Sequence, residues 1–526
     1  MLSGAVVRPC GFPREKTQPM STPVADTHEP EGVLPQQAPF VYRKDVLLWV
    51  VTAVALGCLG LYLGVAALRL RYPFELEWIE GGHVDHVRRI LSGEPLYARP
   101  SVDFIAFIYT PLYFYLSAGL AKLIGVGFPA LRLVSFASSL GCFLLLYGLA
   151  RRETGSRFAG ALAVGFFAAT YRLSGGWWDI ARADSLLLLL LLAGIYYLRA
   201  EPTPRQLVVA GVLLWLAFLS KQQAAVIGLA LAAGVMVHSR RQAGYFLAAF
   251  LLPLLVSNLL LNRVFDGWYN YYVWQLPVVH PWDPGAYVTF WTKDLLPSLW
   301  LMMGLAGYYL VRQLRGGDRR RGLLYLAALG GVVTSSWMSR LHVGGYVNVI
   351  IPAHAMFALL GALGAWEVFA LAARKPAAWR RNAVYGLCLL QLAMLHYNPA
   401  QFVPTREDAA AGRDFIALLS TLPGEVFVPD HGYLPTLAGK RTHAHGAALV
   451  AVLGMTGGDA PSRQLKEELR AAFATHRFGA VVLDTVRPET WAPYYRKQRL
   501  VFSKPDVFIP VTGWTIRPNA VYVPAT

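Results

Sequence analysis

Three glutamates stand among aromatic and apolar residues in Pro73-Phe74-Glu75-Leu76-Glu77-Trp78-Ile79-Glu80, directly after a long apolar run. Carboxylates at a membrane boundary are costly and are seldom kept there without a partner or a task. Asp85 follows, with His83 and His86 interleaved, and then the proline-marked Tyr109-Thr110-Pro111-Leu112-Tyr113-Phe114. Polar residues gather again in Trp177-Trp178-Asp179-Ile180-Ala181-Arg182-Ala183-Asp184-Ser185, in Lys221-Gln222-Gln223 and in Arg340-Leu341-His342-Val343-Gly344-Gly345-Tyr346-Val347-Asn348. Each group lies between apolar runs.

Such residues suit the transfer of a sugar from a lipid phosphate to a hydroxyl. A carboxylate can take the hydroxyl proton, and cations or hydrogen-bond donors can steady the departing phosphate. Glu77 and Glu80 are the candidate bases; three residues apart on a helical turn, they share a face. Glu80 is preferred because bare backbone at Gly81-Gly82 would let a substrate approach. Asp184 is the third catalytic candidate. Arg182, Lys221, Arg340 and His342 are expected at the phosphate. Glu75, Asp85, Tyr109, Asp179, Tyr346 and Asn348 are expected to line the substrate. Plainer readings compete: solvated acids on an interfacial helix, an N-cap at Asp184, a snorkelling Lys221 and a glycine turn at 344–345.

The elements that must position these residues are membrane helices. Of the 526 residues 55% are hydrophobic and only 15% charged, and mean hydropathy is +0.41. Apolar runs near the length of a bilayer crossing recur along most of the chain. They fall at roughly 46–70, 131–150, 158–172, 184–199, 207–220, 223–238, 243–262, 297–312, 322–338, 348–372 and 383–398. The net charge of +17 does not indicate nucleic acid, because its source is topological. Loops 151–157, 199–205, 238–241, 312–321 and 373–381 hold sixteen Lys and Arg, and loops 172–183, 220–222, 263–296 and 339–347 hold six. The positive-inside rule makes the first set cytoplasmic and the second outward-facing.

Parity then treats 71–130 as one outer loop with an amphipathic or re-entrant helix around 111–126. The expected fold is an all-α polytopic protein of about eleven spanning helices plus that extra helix. Residues 1–44, polar and proline-rich, read as a disordered cytoplasmic tail. Residues 45–398 form the membrane domain. Residues 399–526 alternate β-prone runs with helical stretches and read as a small extracytoplasmic α/β domain placed to help bind an acceptor. Cys10, Cys58, Cys142 and Cys388 imply no disulfide framework. The aromatic loop Trp268–Trp274 reads as an interfacial belt. Asp430-His431 with His443-Ala444-His445 offers histidines but no nameable third metal ligand.

The order of these motifs resembles the GT-C superfamily of polyprenyl-phosphate-dependent glycosyltransferases. It runs from an acidic outer loop through Tyr109-Thr110-Pro111-Leu112-Tyr113 to Arg182-Ala183-Asp184-Ser185 and Ser220-Lys221-Gln222. The branch it is most similar to is family 39, with its protein mannosyltransferases and aminoarabinose transferases, and the resemblance covers about 45–400. It implies an acidic pair in the first outer loop, whose place Glu77 and Glu80 take, and an acid at the second-loop helix start, matched by Asp184. It further implies an inverting transfer from a polyprenyl-phosphate sugar, the one cosubstrate expected, to an envelope lipid, glycan or protein. A divalent metal stays open, since some members bind one and others do not. The expected location is the bacterial plasma membrane. A secondary transporter, with midplane charges and inverted repeats, and a non-catalytic envelope-assembly protein are the rivals.

Overall fold

The computed structural model describes residues 45–199, 201–373, 378–484 and 493–525. The expected tail 1–44, with Cys10, lies outside the described residues. Helices cover all eleven apolar segments read from the sequence. Within the first nine helices these are α1 (Val46–Leu70), α4 (Phe128–Thr154), α5 (Arg157–Ala169), α6 (Asp184–Leu198), α7 (Pro204–Ser220), α8 (Ala224–His238) and α9 (Arg240–Val264). Leu296–Gly316, Arg319–Leu341, Ile351–Ala373 and Ala378–Met394 complete the set. Among the described residues, six helical stretches are long and apolar enough to cross a membrane.

Local sequence explains the helix ends. Thr203 and Gln206 form a reciprocal capping box with Pro204 in the first turn of α7. Ser156, Ser239 and Asp318 each accept from a backbone N–H of the turn they open. Gly155 closes α4 at a φ of 69°, which a side chain would resist.

Segment 71–130 contains two helices rather than one: α2 (Glu80–Leu91) and α3 (Leu112–Ile124). Gly93, Pro95, Pro100 and Pro111 lie between them and interrupt any continuous helix. The 13 residues of α3 extend roughly 20 Å at 1.5 Å per residue, short of a hydrocarbon core of about 30 Å. Its apolar face is divided, with Tyr113, Phe114, Ala118 and Ala121 buried while Leu123 and Ile124 are exposed. Length alone does not decide, since α5 is as short. But Arg132 at the start of α4 reaches the carbonyls of Arg69, Tyr72 and Phe74 at and beyond the end of α1. Both ends of 71–130 therefore lie at one end of the bundle, and α3 dips rather than crosses.

Ion pairs separate the two ends of the helix bundle. At one end Glu153 binds Arg199 and Arg321, each at 2.9 Å, and Glu367 binds Arg312 at 3.2 Å. These partners belong to the arginine-rich loops. At the other end lie 71–130, 170–183, 221–223 and 342–350, joined by the polar contacts described below.

The C-terminal part is α/β. Strands β1 (Glu425–Phe427), β2 (Phe478–Leu483), β3 (Tyr495–Leu500) and β4 (Ala520–Pro524) pair in the order β1-β2-β4-β3. β1 and β2 are parallel, and the other pairs are antiparallel. Its core is not separate. Ile79, Val84, Phe107 and Phe114 of the first loop share one buried cluster with Phe415, Val426, Phe473 and Val481.

The aromatic loop departs from the interfacial-belt expectation. Tyr269, Tyr271 and Tyr272 are buried in that same cluster. Two of the rings pack inward onto hydroxyl partners, Tyr272 donating to the Ala98 carbonyl at 3.0 Å and Tyr271 to Asp459 at 3.2 Å. Tyr269 packs edge-on against Tyr97, ring centroids 5.3 Å apart.

Candidate functional site

A buried arginine holds the acidic loop. Arg132, near the start of α4, is fully buried and donates to the backbone carbonyls of Arg69, Tyr72 and Phe74 at 2.6–3.2 Å. Its fork also binds Glu80, with Nε to Oε1 at 3.0 Å and Nη2 to Oε2 at 2.6 Å. The Glu80 carboxylate accepts two more bonds, from the N–H of Ala181 at 2.6 Å and of Leu76 at 2.7 Å. Burial alone would raise its pKa, but Arg132 and these N–H groups outweigh burial and hold it below the usual carboxylate range. Its acceptor capacity is spent on the fold.

Glu77 is held quite differently. It is also fully buried, yet its contacts are loose: Arg182 Nη1 at 3.4 Å from both oxygens and the Ile79 N–H at 3.2 Å. Burial pushes its pKa up to about 8, with Glu80 adding to the rise and Arg182 only partly opposing it. Arg182 donates from Nη2 to the Tyr109 hydroxyl at 2.7 Å. Its guanidinium lies 4.6 Å from the Trp177 ring centroid and 5.2 Å from that of Tyr109. An arginine stacked between two rings keeps its plane and its charge in place.

Beside this pair sits a second. Asp184 opens α6 and accepts from Lys221 Nζ at 2.6 Å and from Asn348 Nδ2 at 2.9 Å, with Arg182 Nε 3.9 Å away. Lys221 ends α7 in extended backbone, and the turn after it is anchored. Ser220 donates to Ala183 O at 3.3 Å, Gln222 to Ile108 O at 2.6 Å and Gln223 to Val349 O at 2.8 Å. Glu77, Tyr109, Arg182, Asp184, Lys221 and Asn348 thus form one contiguous polar group. Tyr346 borders it, its ring 6.0 Å from Trp177 and 6.4 Å from Trp78.

The remaining sequence candidates lie elsewhere. Asp179 pairs with Arg69 at 3.2 Å and accepts from Tyr171 at 2.8 Å, tying loop 170–183 to the end of α1. Arg340 binds Asp294 and the Gly345 carbonyl, each at 2.9 Å, so its fork braces the turn that carries Tyr346 and Asn348. His342 packs on the edge of Trp282, ring centroids 5.9 Å apart. Asp85 accepts from Arg88 at 3.0 Å and from the Tyr433 N–H at 2.7 Å. Glu75 lies 2.7 Å from His431, whose other nitrogen is 3.2 Å from Asp484. Burial raises the Glu75 pKa to about 7, while Asp484 and Glu75 overcome the effect of burial on His431 and raise it.

Gly81 and Gly82 serve a neighbour other than the one expected. A Cβ on Gly81 would collide with the Gly432 carbonyl, and one on Gly82 with the Phe107 ring. The bare backbone of Gly81 admits Gly432 of the C-terminal part, and that of Gly82 admits Phe107 of the same loop. The histidines of that part are also engaged: His443 lies 3.1 Å from Asp103, and His445 accepts from the Ala447 N–H at 3.1 Å. Among the described residues no three His, Cys, Asp or Glu side chains are grouped to hold a metal ion.

Arg69 and Arg132 brace the loops that carry the site, and neither is among the residues singled out from the sequence. Their signal was available, since each is a cation inside an apolar segment and such charges need partners. The link between Glu75 and His431 carries no sequence signal.

Comparison with known proteins follows the same outline. The family described as dolichyl-phosphate-mannose-protein mannosyltransferase matches residues 109–261, a stretch containing Tyr109, Arg182, Asp184 and Lys221. No curated protein matches the sequence significantly. Among solved structures, ArnT from Cupriavidus metallidurans bound to undecaprenyl phosphate is 15% identical. The match has a TM-score of 0.56 and covers 90% of this chain and 97% of that one. The oligosaccharyltransferase AglB from Archaeoglobus fulgidus, in complex with an inhibitory peptide and a dolichol-phosphate, is 14% identical. That match has a TM-score of 0.51 and covers 84% of this chain and 70% of that one. The chain therefore has the fold of the GT-C glycosyltransferase superfamily and resembles its family 39 branch.

Proposed function

We propose that this protein is a membrane glycosyltransferase that moves a sugar from a polyprenyl-phosphate donor to a hydroxyl of an envelope lipid, glycan or protein. The observation that carries this reading is the Glu77–Arg182 contact beside the Asp184–Lys221 pair. A weakly held carboxylate lies beside Arg182, and Arg182 in turn adjoins the Asp184–Lys221 pair at one end of the helix bundle. The similarity to structures that hold undecaprenyl phosphate and dolichol-phosphate supports a lipid-borne donor.

In the transfer, the acceptor hydroxyl gives its proton to the Glu77 carboxylate as its oxygen bonds to the anomeric carbon. The bond from that carbon to the phosphate oxygen breaks, and polyprenyl phosphate leaves with the electron pair. Arg182 and Lys221 are the cations placed to meet the growing phosphate charge. Asp184 orients Lys221, and Asn348 orients Asp184. Glu80 is assigned to positioning, since its carboxylate is saturated by Arg132 and two N–H groups. Direct displacement on one face inverts the anomeric centre. The site end of the bundle, with the C-terminal part, is assigned to the outer side of a bacterial plasma membrane by the charge bias of the loops.

The test is transfer of isotope from a polyprenyl-phosphate sugar into an envelope lipid, glycan or protein fraction by the purified protein in liposomes. Label that stays on the donor lipid with every envelope fraction offered contradicts the assignment.

A further inference from the structure

A short strap of the C-terminal part, Val511-Thr512-Gly513, lies directly against the acidic loop. Val511 packs on the core of the membrane helices. Thr512 N–H donates to the Leu76 carbonyl at 3.2 Å, and Thr512 bridges Glu77 as a parallel one-residue ladder. The Thr512 hydroxyl accepts from Trp177 Nε1 at 2.7 Å and donates to the Gly175 carbonyl. Gly513 follows at a φ of +81°, a conformation that favours glycine. A Cβ there would stand 2.9 Å from Glu77 Cγ, 3.2 Å from Glu77 Oε1 and 2.8 Å from Trp78 Cδ1. The strap therefore touches both Glu77 and Trp177, the ring on which Arg182 stacks.

This contact is built for shape rather than for binding. The strap's hydroxyl is spent on Trp177 and Gly175, its Thr512 N–H is spent on Leu76, and Gly513 presents no side chain. It adds no charge. The ionisable groups around Glu77 come from other elements: Arg182, Glu80, Glu75, Tyr109 and Tyr346.

We propose that the Thr512-Gly513 strap is a positioning element for the Glu77 carboxylate, so that the transfer site is complete only with the C-terminal part docked. The inference rests on Glu77 being the base. It gives the C-terminal part a role in catalytic geometry, in place of acceptor binding alone.

Steady-state transfer by full-length Gly513→Ala, Thr512→Val and Thr512→Ser proteins, beside Glu77→Gln, tests it. Gly513→Ala should lower kcat roughly 10–100-fold, the scale of a small misplacement of a reacting group, with the donor KM unchanged. The acid limb of its pH–rate profile should move, because the distance from the carboxylate to Arg182 has changed. Thr512→Val should move both readouts in the same direction by less, and Thr512→Ser should restore them. Thr512→Val carries the test should Gly513→Ala fail to accumulate. Unchanged kcat and acid limb in the strap variants, with Glu77→Gln inactive, overturns the strap inference alone. So does a raised acceptor KM at unchanged kcat, which would make the strap an acceptor wall. An active Glu77→Gln overturns the base assignment itself, whatever the strap variants do.

Discussion

Two glutamates of one loop, three residues apart, meet opposite environments, and that contrast assigns their roles. Glu77→Gln keeps the shape of the carboxylate but cannot accept a proton. Transfer should fall about 10²–10⁴-fold, while the protein still inserts and still binds donor lipid. Glu80→Gln should act mainly on folding. It leaves the Arg132 guanidinium fully buried without its counter-charge, a change that typically costs about 3–5 kcal/mol, read as a lower thermal unfolding temperature in detergent. A Glu80→Gln protein of normal stability would remove the positioning role. The pH dependence follows from Glu77. Its pKa is raised to about 8, and only the ionised form is a base. The kcat/KM, which reports the free protein, should therefore rise through pH 8 and fall away below it; a kcat/KM profile flat from pH 6 to 9 contradicts this. The acidic loop was legible in the sequence because carboxylates beside a membrane segment attract notice. Which acid is free was not, since the answer lies in Arg132, fifty residues further on.

At the scale of elements, the site is made by helix ends and the turns that join them. Lys221 stands where α7 stops, Asp184 where α6 starts, and Asn348 in the turn braced by Arg340 and Asp294. Lys221→Ala should therefore raise the donor KM and lower kcat, because a cation is lost where phosphate charge grows. Arg340→Ala should act more weakly, through the looser turn. An Arg340→Ala effect equal to that of Lys221→Ala would return Arg340 to the phosphate itself. Among the described residues, apolar runs were enough to place the eleven helices of the bundle, though not α2, whose sequence is polar. The aromatic loop 268–274 misled because composition does not reveal hydroxyl partners. For Tyr271 and Tyr272 those partners are Asp459 and the Ala98 carbonyl, both remote in sequence.

For the whole molecule, the charge bias of the loops and the two ionic ends of the bundle agree. Cysteines introduced into a cysteine-free background at Ser92 and Thr442 should label from the outside, and one at Gly316 from the cytoplasm. Labelling of Ser92 and Gly316 from the same side would contradict the dipping reading of α3. The sequence marked the C-terminal part as α/β through its change of composition at about residue 399. It could not show that this part shares a core with loop 71–130, because those contacts join positions several hundred residues apart. The assignment of Glu77 as the base for sugar transfer from a lipid phosphate carries the proposed function. Its most direct test is single-turnover transfer of isotope from a polyprenyl-phosphate sugar to an envelope acceptor fraction, comparing the native protein with Glu77→Gln at equal donor occupancy. Label should reach the acceptor with the native protein, and the variant should lose about 10²–10⁴ in rate. Equal rates for the two proteins would contradict the assignment.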